Sequence, residues 1–77
     1  MPRYFFHIKE DAKTTLDSEG IELEGMHAVL EEAKEGAREI MSERVLRGHG
    51  PNGRAFVVVD EQGTTVLTLP FKLALDD

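Results

Sequence analysis

The sequence predicts an α+β fold, in which a small antiparallel sheet carries one long helix on one face. Two observations predict it. Segments rich in aromatic and β-branched residues lie near both ends of the chain, and a long stretch with apolar residues at three- and four-residue spacing lies between them. The predicted order is β-β-α-β-β, with an extra short strand as an option before the helix. A chain of 77 residues holds one domain, residues 1–77, and we expect residues 70–77 to form a flexible or wrapping tail.

The opening strand, residues 3–9, has two distinct faces. A charged turn at residues 10–13 follows it, and residues 14–17 can return as a short second strand. The reversal at residues 18–20 ends in glycine, which readily adopts a positive φ. Residues 21–23 form the optional extra strand. Side chains alternate along a strand, so the two faces of the opening strand are Tyr4, Phe6 and Ile8 on one side and Phe5, His7 and Lys9 on the other.

Residues 26–46 form the predicted helix. Its apolar residues fall on one face, which is typical of a helix packed on a sheet. Gly36 lies at the edge of this face, where the lack of a side chain would let the helix approach another element closely. Gly25 precedes the helix in the cap position. The apolar face consists of Met26, Val29, Leu30, Ala33, Ala37, Ile40, Met41 and Val45.

Residues 55–60 and 64–69 form a predicted hairpin, joined by a type I turn at residues 60–63 whose glycine takes the left-handed position. The expected register pairs Val57 with Leu67 and Val59 with Thr65. One helix covers only one face of such a sheet. The face expected to meet the helix consists of Ala55, Val57, Val59, Leu67 and Leu69, together with Tyr4, Phe6 and Ile8.

The opposite face of the sheet is the candidate interface. Its predicted members are Phe5, His7, Phe56, Val58 and Val66. An exposed apolar patch on a small domain is typical of an interaction surface. The alternative is that the tail, through Phe71, Leu73 and Leu75, folds back over this patch.

Composition excludes several classes of partner. Nine Lys and Arg residues stand against fifteen Asp and Glu, a formal charge of -6, which argues against a nucleic-acid partner because phosphate binding needs clustered cations. The chain has no cysteine, so it has neither disulfides nor thiolate chemistry. Neither a signal-peptide core nor an apolar run of about 18 residues is present. We expect a cytoplasmic protein without a membrane partner.

Residues 48–55 resemble a phosphate-binding loop in spacing only. Arg54 replaces the lysine of that motif, and Ala55 replaces the hydroxyl that would bind magnesium. The segment also runs from helix to strand, whereas a phosphate loop runs from strand to helix. We therefore expect a helix end and a loop here.

Few side chains could support chemistry. The three histidines lack a metal-ligand spacing, and the acidic residues of the first hairpin could hold a hard cation only weakly. His7 with Asp17 or Glu19 is the one acid–base pair that the sequence suggests. We expect no catalytic, cofactor-binding or metal-binding residue, no cofactor and no enzyme activity. The side chains considered are His7, His27, His49, Asp11, Asp17 and Glu19.

Several segments carry a family resemblance. They are residues 2–6, 17–23, 53–56, 60–63 and 69–71, together with the helix rich in Ala and Glu. In this order they resemble a family of short bacterial proteins, filed as domain of unknown function 6894 and found mainly in rhizobia and related alphaproteobacteria. Family members often carry aspartate where this chain has His7, and an aspartate helix cap where it has Gly25. The resemblance covers nearly the whole chain and implies the fold without an activity.

Two classes of function stay open. The favoured interpretation is a non-enzymatic interaction module that forms a homodimer, or binds another protein, through the open sheet face or a sheet edge. A variant is an antitoxin-like regulatory partner, by analogy of fold with HicB-type antitoxins. The alternative class is a weak small-ligand or metal-binding domain around the first hairpin.

Overall fold

The computed structural model describes residues 1–46 and 53–76. Within these ranges, five strands form one antiparallel sheet with a long helix, which confirms the predicted α+β fold and the extra short strand before the helix. A 3-10 helix follows the last strand. In chain order the elements are β1 (Arg3–Glu10), β2 (Lys13–Thr15), β3 (Ile21–Glu22), α1 (Met26–Leu46), β4 (Arg54–Val59), β5 (Thr65–Pro70) and the 3-10 helix (Phe71–Asp76).

β1 organises the sheet. The strand order is β2-β1-β4-β5, and β3 also pairs with β1, at the end of β1 away from β2. Tyr4 is buried, and Phe6 and Ile8 pack against the core, as the alternation of β1 predicts. In the pair with β4, Phe6 lies opposite Val58. Ile8 lies opposite Phe56. Residues directly opposite in antiparallel strands share a face, so β4 presents Phe56 and Val58 to the core.

The predicted faces of β4 are therefore wrong. Phe56 and Val58, expected on the exposed face, are buried, with 6% and 0% of their surface accessible. Ala55, Val57 and Val59, expected against the helix, lie on the opposite face and are half-buried.

A β-bulge in the hairpin is the physical reason for the reversal. Val59 pairs with Thr65 as predicted, but Val58 pairs with Leu67, so Val66 is an extra residue in β5. Leu67 thus lies one residue away from its predicted partner, and a slip of one residue exchanges the two faces of a strand. Val66, predicted to be exposed, packs against the core beside Leu67.

The turn at residues 60–63 forms as predicted, with Gly63 at a φ of 82°. The N–H of Gly63 donates a 3.0 Å hydrogen bond to the carbonyl oxygen of Asp60. The Asp60 carboxylate accepts from the N–H groups of Gln62 and Thr64, at 2.9 Å each. The side chain of Asp60 therefore holds the reversal that leads into β5.

α1 packs on the face of the sheet that carries Phe56. A Cβ atom placed on Gly36 would lie 3.2 Å from Cζ of Phe56, so glycine permits the close approach that the sequence predicts. The helix begins after Gly25, whose carbonyl oxygen accepts a 3.0 Å hydrogen bond from the N–H of Val29. Among residues 26–41 of the helix, whose side chains the structure describes, those with no accessible surface are Val29, Ala33 and Ala37.

The C-terminal segment packs on the helix side of the sheet. Phe71 and Ala74 have no accessible surface. Nε of Arg38 donates a 3.0 Å hydrogen bond to the carbonyl oxygen of Ala74. The ring of Phe71 lies 4.8 Å from the ring of Phe56, between centroids. Phe71 therefore does not cover the opposite face, as the alternative expected, and the side chain of Leu75 lies outside the described part of the structure.

Replacing Phe71 tests this packing. Phe71→Ala should lower the free energy of unfolding by about 3–5 kcal/mol, because it leaves a cavity between the helix and the sheet. Urea unfolding followed by circular dichroism measures the change. Leu73→Ala is the matched control on the same 3-10 helix: Leu73 is 46% exposed, and its loss should cost no more than about 0.5 kcal/mol. Equal effects of the two substitutions would contradict the placement of the 3-10 helix.

Candidate functional site

The face of the sheet opposite α1, which we call the open face, is the candidate site. Its apolar members are half-buried, and Thr68 at its β5 side is exposed. Phe5 and His7 lie on this face as predicted, whereas the other three predicted interface residues face the core. The open face consists of Phe5, His7, Ala55, Val57, Val59 and Thr68.

Residues 17–20, which we call the Asp17 turn, lie against the β1 side of the open face. Gly20 has a φ of 71°, and a Cβ atom there would lie 2.9 Å from Cδ2 of the Phe5 ring, so only glycine fits against the ring. The N–H of Asp17 donates a 3.0 Å hydrogen bond to Nδ1 of His7. The turn thus covers part of Phe5 and His7, and the half-exposed apolar surface continues on β4 at Val57 and Val59.

The carboxylate of Asp17 holds this turn in place. Oδ2 accepts a 3.0 Å hydrogen bond from the N–H of Phe6. Oδ1 accepts from the N–H groups of Glu19 and Gly20, at 3.1 Å each. Burial raises the pKa of Asp17, but the three backbone hydrogen bonds to its carboxylate outweigh burial, and the pKa lies below its ordinary value of 3.8.

The predicted acid–base pair comes together, but as part of a turn. Nδ1 of His7 accepts from a backbone N–H, and both carboxylate oxygens of Asp17 accept from backbone N–H groups. Glu19 takes part through its backbone, since its carbonyl oxygen accepts a 2.8 Å hydrogen bond from Nη1 of Arg3. This arrangement fixes the path of the chain between β2 and β3.

The acidic residues of the first hairpin do not converge. Asp11 lies at the far end of β1, where its N–H donates a 3.4 Å hydrogen bond to the carbonyl oxygen of Gly53. Asp17 lies beside Phe6, and the stretch of β1 between them spans roughly 13 Å at about 3.3 Å per residue. In residues 1–46 and 53–76, no group of three or more His, Asp or Glu side chains is placed to hold a metal ion.

The loop that resembles a phosphate motif falls mostly outside the described residues, which exclude 47–52 and with them His49. Arg54, at its end, is described. Nη2 of Arg54 lies 2.9 Å from Oε1 of Glu10, and the Arg54 side chain is only 16% exposed. The guanidinium therefore pairs with a carboxylate of the neighbouring strand. His27 is exposed at the start of α1, apart from the other candidates.

β5 forms an edge of the sheet. The sequence analysis did not predict which strand would lie at an edge. It pairs with β4 on one side, and no other described strand pairs with it. Its sequence, Thr-Val-Leu-Thr-Leu-Pro, carries no charge.

One feature of the sequence could have predicted the bulge in β5. Apolar residues at positions 66, 67 and 69 break the strict alternation of a strand, which is typical of an inserted residue.

Comparison with known proteins identifies a family. The family model described as Domain of unknown function (DUF6894) matches residues 3–72. The chain belongs to this family. The resemblance stated from the sequence is thus confirmed, and the matched residues of the DUF6894 chain include all five strands and α1.

No curated protein and no solved structure matches the DUF6894 chain. In the part of the chain that the structure describes, no helix combines the length and the apolar character needed to cross a membrane.

Removing the Asp17 carboxylate tests its role in the turn. Asp17→Asn places an amide NH₂ group where a carboxylate oxygen now accepts, which leaves at least one backbone N–H without its partner. We expect the free energy of unfolding at neutral pH to fall by about 1–3 kcal/mol. Ser18→Ala, at an exposed position of the same turn, is the control and should change it by no more than about 0.5 kcal/mol. Urea unfolding of the two variants measures the difference.

The pH dependence of stability gives a separate test. The folded pKa of Asp17 is lowered from 3.8, so the unfolded state binds the proton more readily. The stabilisation is complete above pH 3.8 and is lost as the pH falls through the folded pKa. Thermal unfolding scans below pH 5 should show the wild-type advantage over Asp17→Asn shrinking with acid. An advantage that stays constant down to the folded pKa and below would contradict the assignment.

Proposed function

We propose that this DUF6894 chain is a non-enzymatic interaction module whose partner is a second copy of itself, bound through the sheet. One observation supports the proposal above the others. The sheet ends in β5, a six-residue edge strand without a charged side chain, in a chain where 31% of residues are charged.

An uncharged edge strand favours association through backbone hydrogen bonds. The outer N–H and C=O groups of an edge strand are free to pair with another strand, and proteins usually block such edges with charges, prolines or covering segments. The opposite edge of the sheet is formed by the short strands β2 and β3, which pair with β1, and β2 carries the charged residue Lys13. The two edges therefore differ: β5 is the longer strand and carries no charge, and its stretch between the bulge at Val66 and Pro70 is suited to adding a strand.

The size of the domain supports the same proposal. A chain of 77 residues buries only about 60–65% of the surface that its unfolded form exposes. Binding to a second folded copy stabilises the folded state by mass action. The half-buried open face adds apolar surface next to β5, at Val57 and Val59.

The polar contacts support a structural use of the residues considered for chemistry. Asp17 and His7 accept backbone hydrogen bonds within the Asp17 turn, and Arg54 pairs with Glu10. No described contact favours the antitoxin-like variant or the ligand-binding alternative, and both stay predictions from the sequence.

The mass of the protein in solution tests the proposal. Size-exclusion chromatography with light scattering should give twice the chain mass of 8.6 kDa, with dissociation on dilution. Glu31→Lys, on the exposed face of α1, is the control and should leave the mass unchanged, because it lies away from the sheet edge. A wild-type protein that stays monomeric up to its solubility limit would contradict the proposal.

A further inference from the structure

The geometry of β5 also points to the way in which the two copies pair, an inference that rests on the proposed function. We infer that β5 pairs antiparallel with β5 of the second copy, with Thr68 of one chain opposite Thr68 of the other on a two-fold axis. The dimer is then one continuous sheet of both copies.

The position of Pro70 indicates which backbone groups of β5 point outward. Pro70 has no N–H, and proline in a sheet places its nitrogen on the unpaired side of an edge strand. Pro70 lies opposite Ala55, and Thr68 lies opposite Val57, two residues away in the same ladder. Hydrogen-bonded and non-hydrogen-bonded pairs alternate in antiparallel strands. The N–H and C=O of Thr68 therefore also point away from β4, toward the free edge.

The faces of the sheet restrict the register. A two-fold axis perpendicular to the sheet keeps each helix on the same side, so residues that face each other must come from the same face. With Thr68 opposite Thr68, Leu67 of one copy lies opposite Leu69 of the other. Both leucines lie on the helix side, opposite Val58 and Phe56 in β4. A register shifted by one residue would set a leucine against the exposed Thr68.

The charges at the two ends of β5 favour an antiparallel arrangement of the same chain. Asp60 and Glu61 lie in the turn before β5, and Lys72 follows it. Antiparallel pairing places the C-terminal end of β5, which Lys72 follows, near the end of the other copy's β5 that the acidic turn precedes. Parallel pairing would bring the two acidic turns together, and like charges at close range are unfavourable.

The ends of β5 also limit the assembly to two copies. The bulge at Val66 and the proline at position 70 interrupt a flat ladder, and both features restrict edge pairing to the stretch between them. The opposite edge of the sheet, formed by β2 and β3, has a different sequence and shape. An isologous pair of β5 strands uses this stretch in both copies, so the assembly closes as a dimer.

A charge swap at Thr68 tests the register directly. Thr68 is exposed on the open face, so Thr68→Lys and Thr68→Glu should each fold normally, as circular dichroism will show. In the dimer, each substitution sets two like-charged side chains directly opposite each other across the axis, with their Cβ atoms about 5 Å apart. We expect each variant alone to raise the dissociation constant of the dimer by roughly 1.5- to fivefold.

Mixing the two variants should restore pairing, because Lys then faces Glu. Native mass spectrometry of the equimolar mixture should show heterodimers above the half share that random pairing gives. A random share, or unchanged homodimers in both variants, overturns the pairing at Thr68.

Val57→Asp tests the alternative that the two copies associate through the open face. Gln62→Glu in the turn is the control with the same change of charge. If only Val57→Asp dissociates the dimer, self-association holds and the edge geometry is wrong; a monomeric wild type removes the proposed function itself.

Discussion

The ring of Phe56 joins the three parts of this fold. It meets the ring of Phe6 on the neighbouring strand edge to face, with centroids 5.8 Å apart, and the ring of Phe71 at 4.8 Å. It also lies close to α1, where a Cβ atom at position 36 would be 3.2 Å from the ring, so glycine there permits the contact. The sheet, the helix and the C-terminal segment thus all contact the Phe56 ring, and Phe56 is only 6% exposed. Aromatic pairs of this kind contribute roughly 0.5–1.5 kcal/mol each beyond the area that they bury.

The inward direction of Phe56 decides what the rest of the sheet presents to solvent. Side chains alternate along β4, so Val57 and Val59 must lie on the open face once Phe56 and Val58 are in the core. The same constraint reaches β5, where Leu67 and Leu69 face the helix side and Thr68 is left outside. The packing of Phe56 therefore also sets which side chains of the proposed dimer edge are apolar and face the helix, and which one is polar and exposed.

Local patterns predicted most of the elements, and long-range pairing decided the rest. The alternation of β1, the helix over residues 26–46 and the turn at Gly63 depend on residues close in sequence, and all three are confirmed. The predicted faces of β4 depend on its register with β5, and the bulge at Val66 shifts that register by one residue, which a count of alternating residues does not include. Asp17 is a similar case. A carboxylate in a turn suggests a ligand for a cation, but its partners are backbone N–H groups, including that of Phe6 across the sheet edge, and composition does not show such partners.

The side of the sheet on which Phe56 lies can be measured directly by nuclear Overhauser spectroscopy on the labelled protein. We expect strong cross-peaks between the ring protons of Phe56 and the α protons of Gly36, together with cross-peaks to the ring of Phe71. No cross-peak is expected between the rings of Phe56 and Phe5. Cross-peaks from Phe56 to Phe5 or His7, with none to Gly36, would place the ring on the open face and contradict both the core and the edge geometry derived from it.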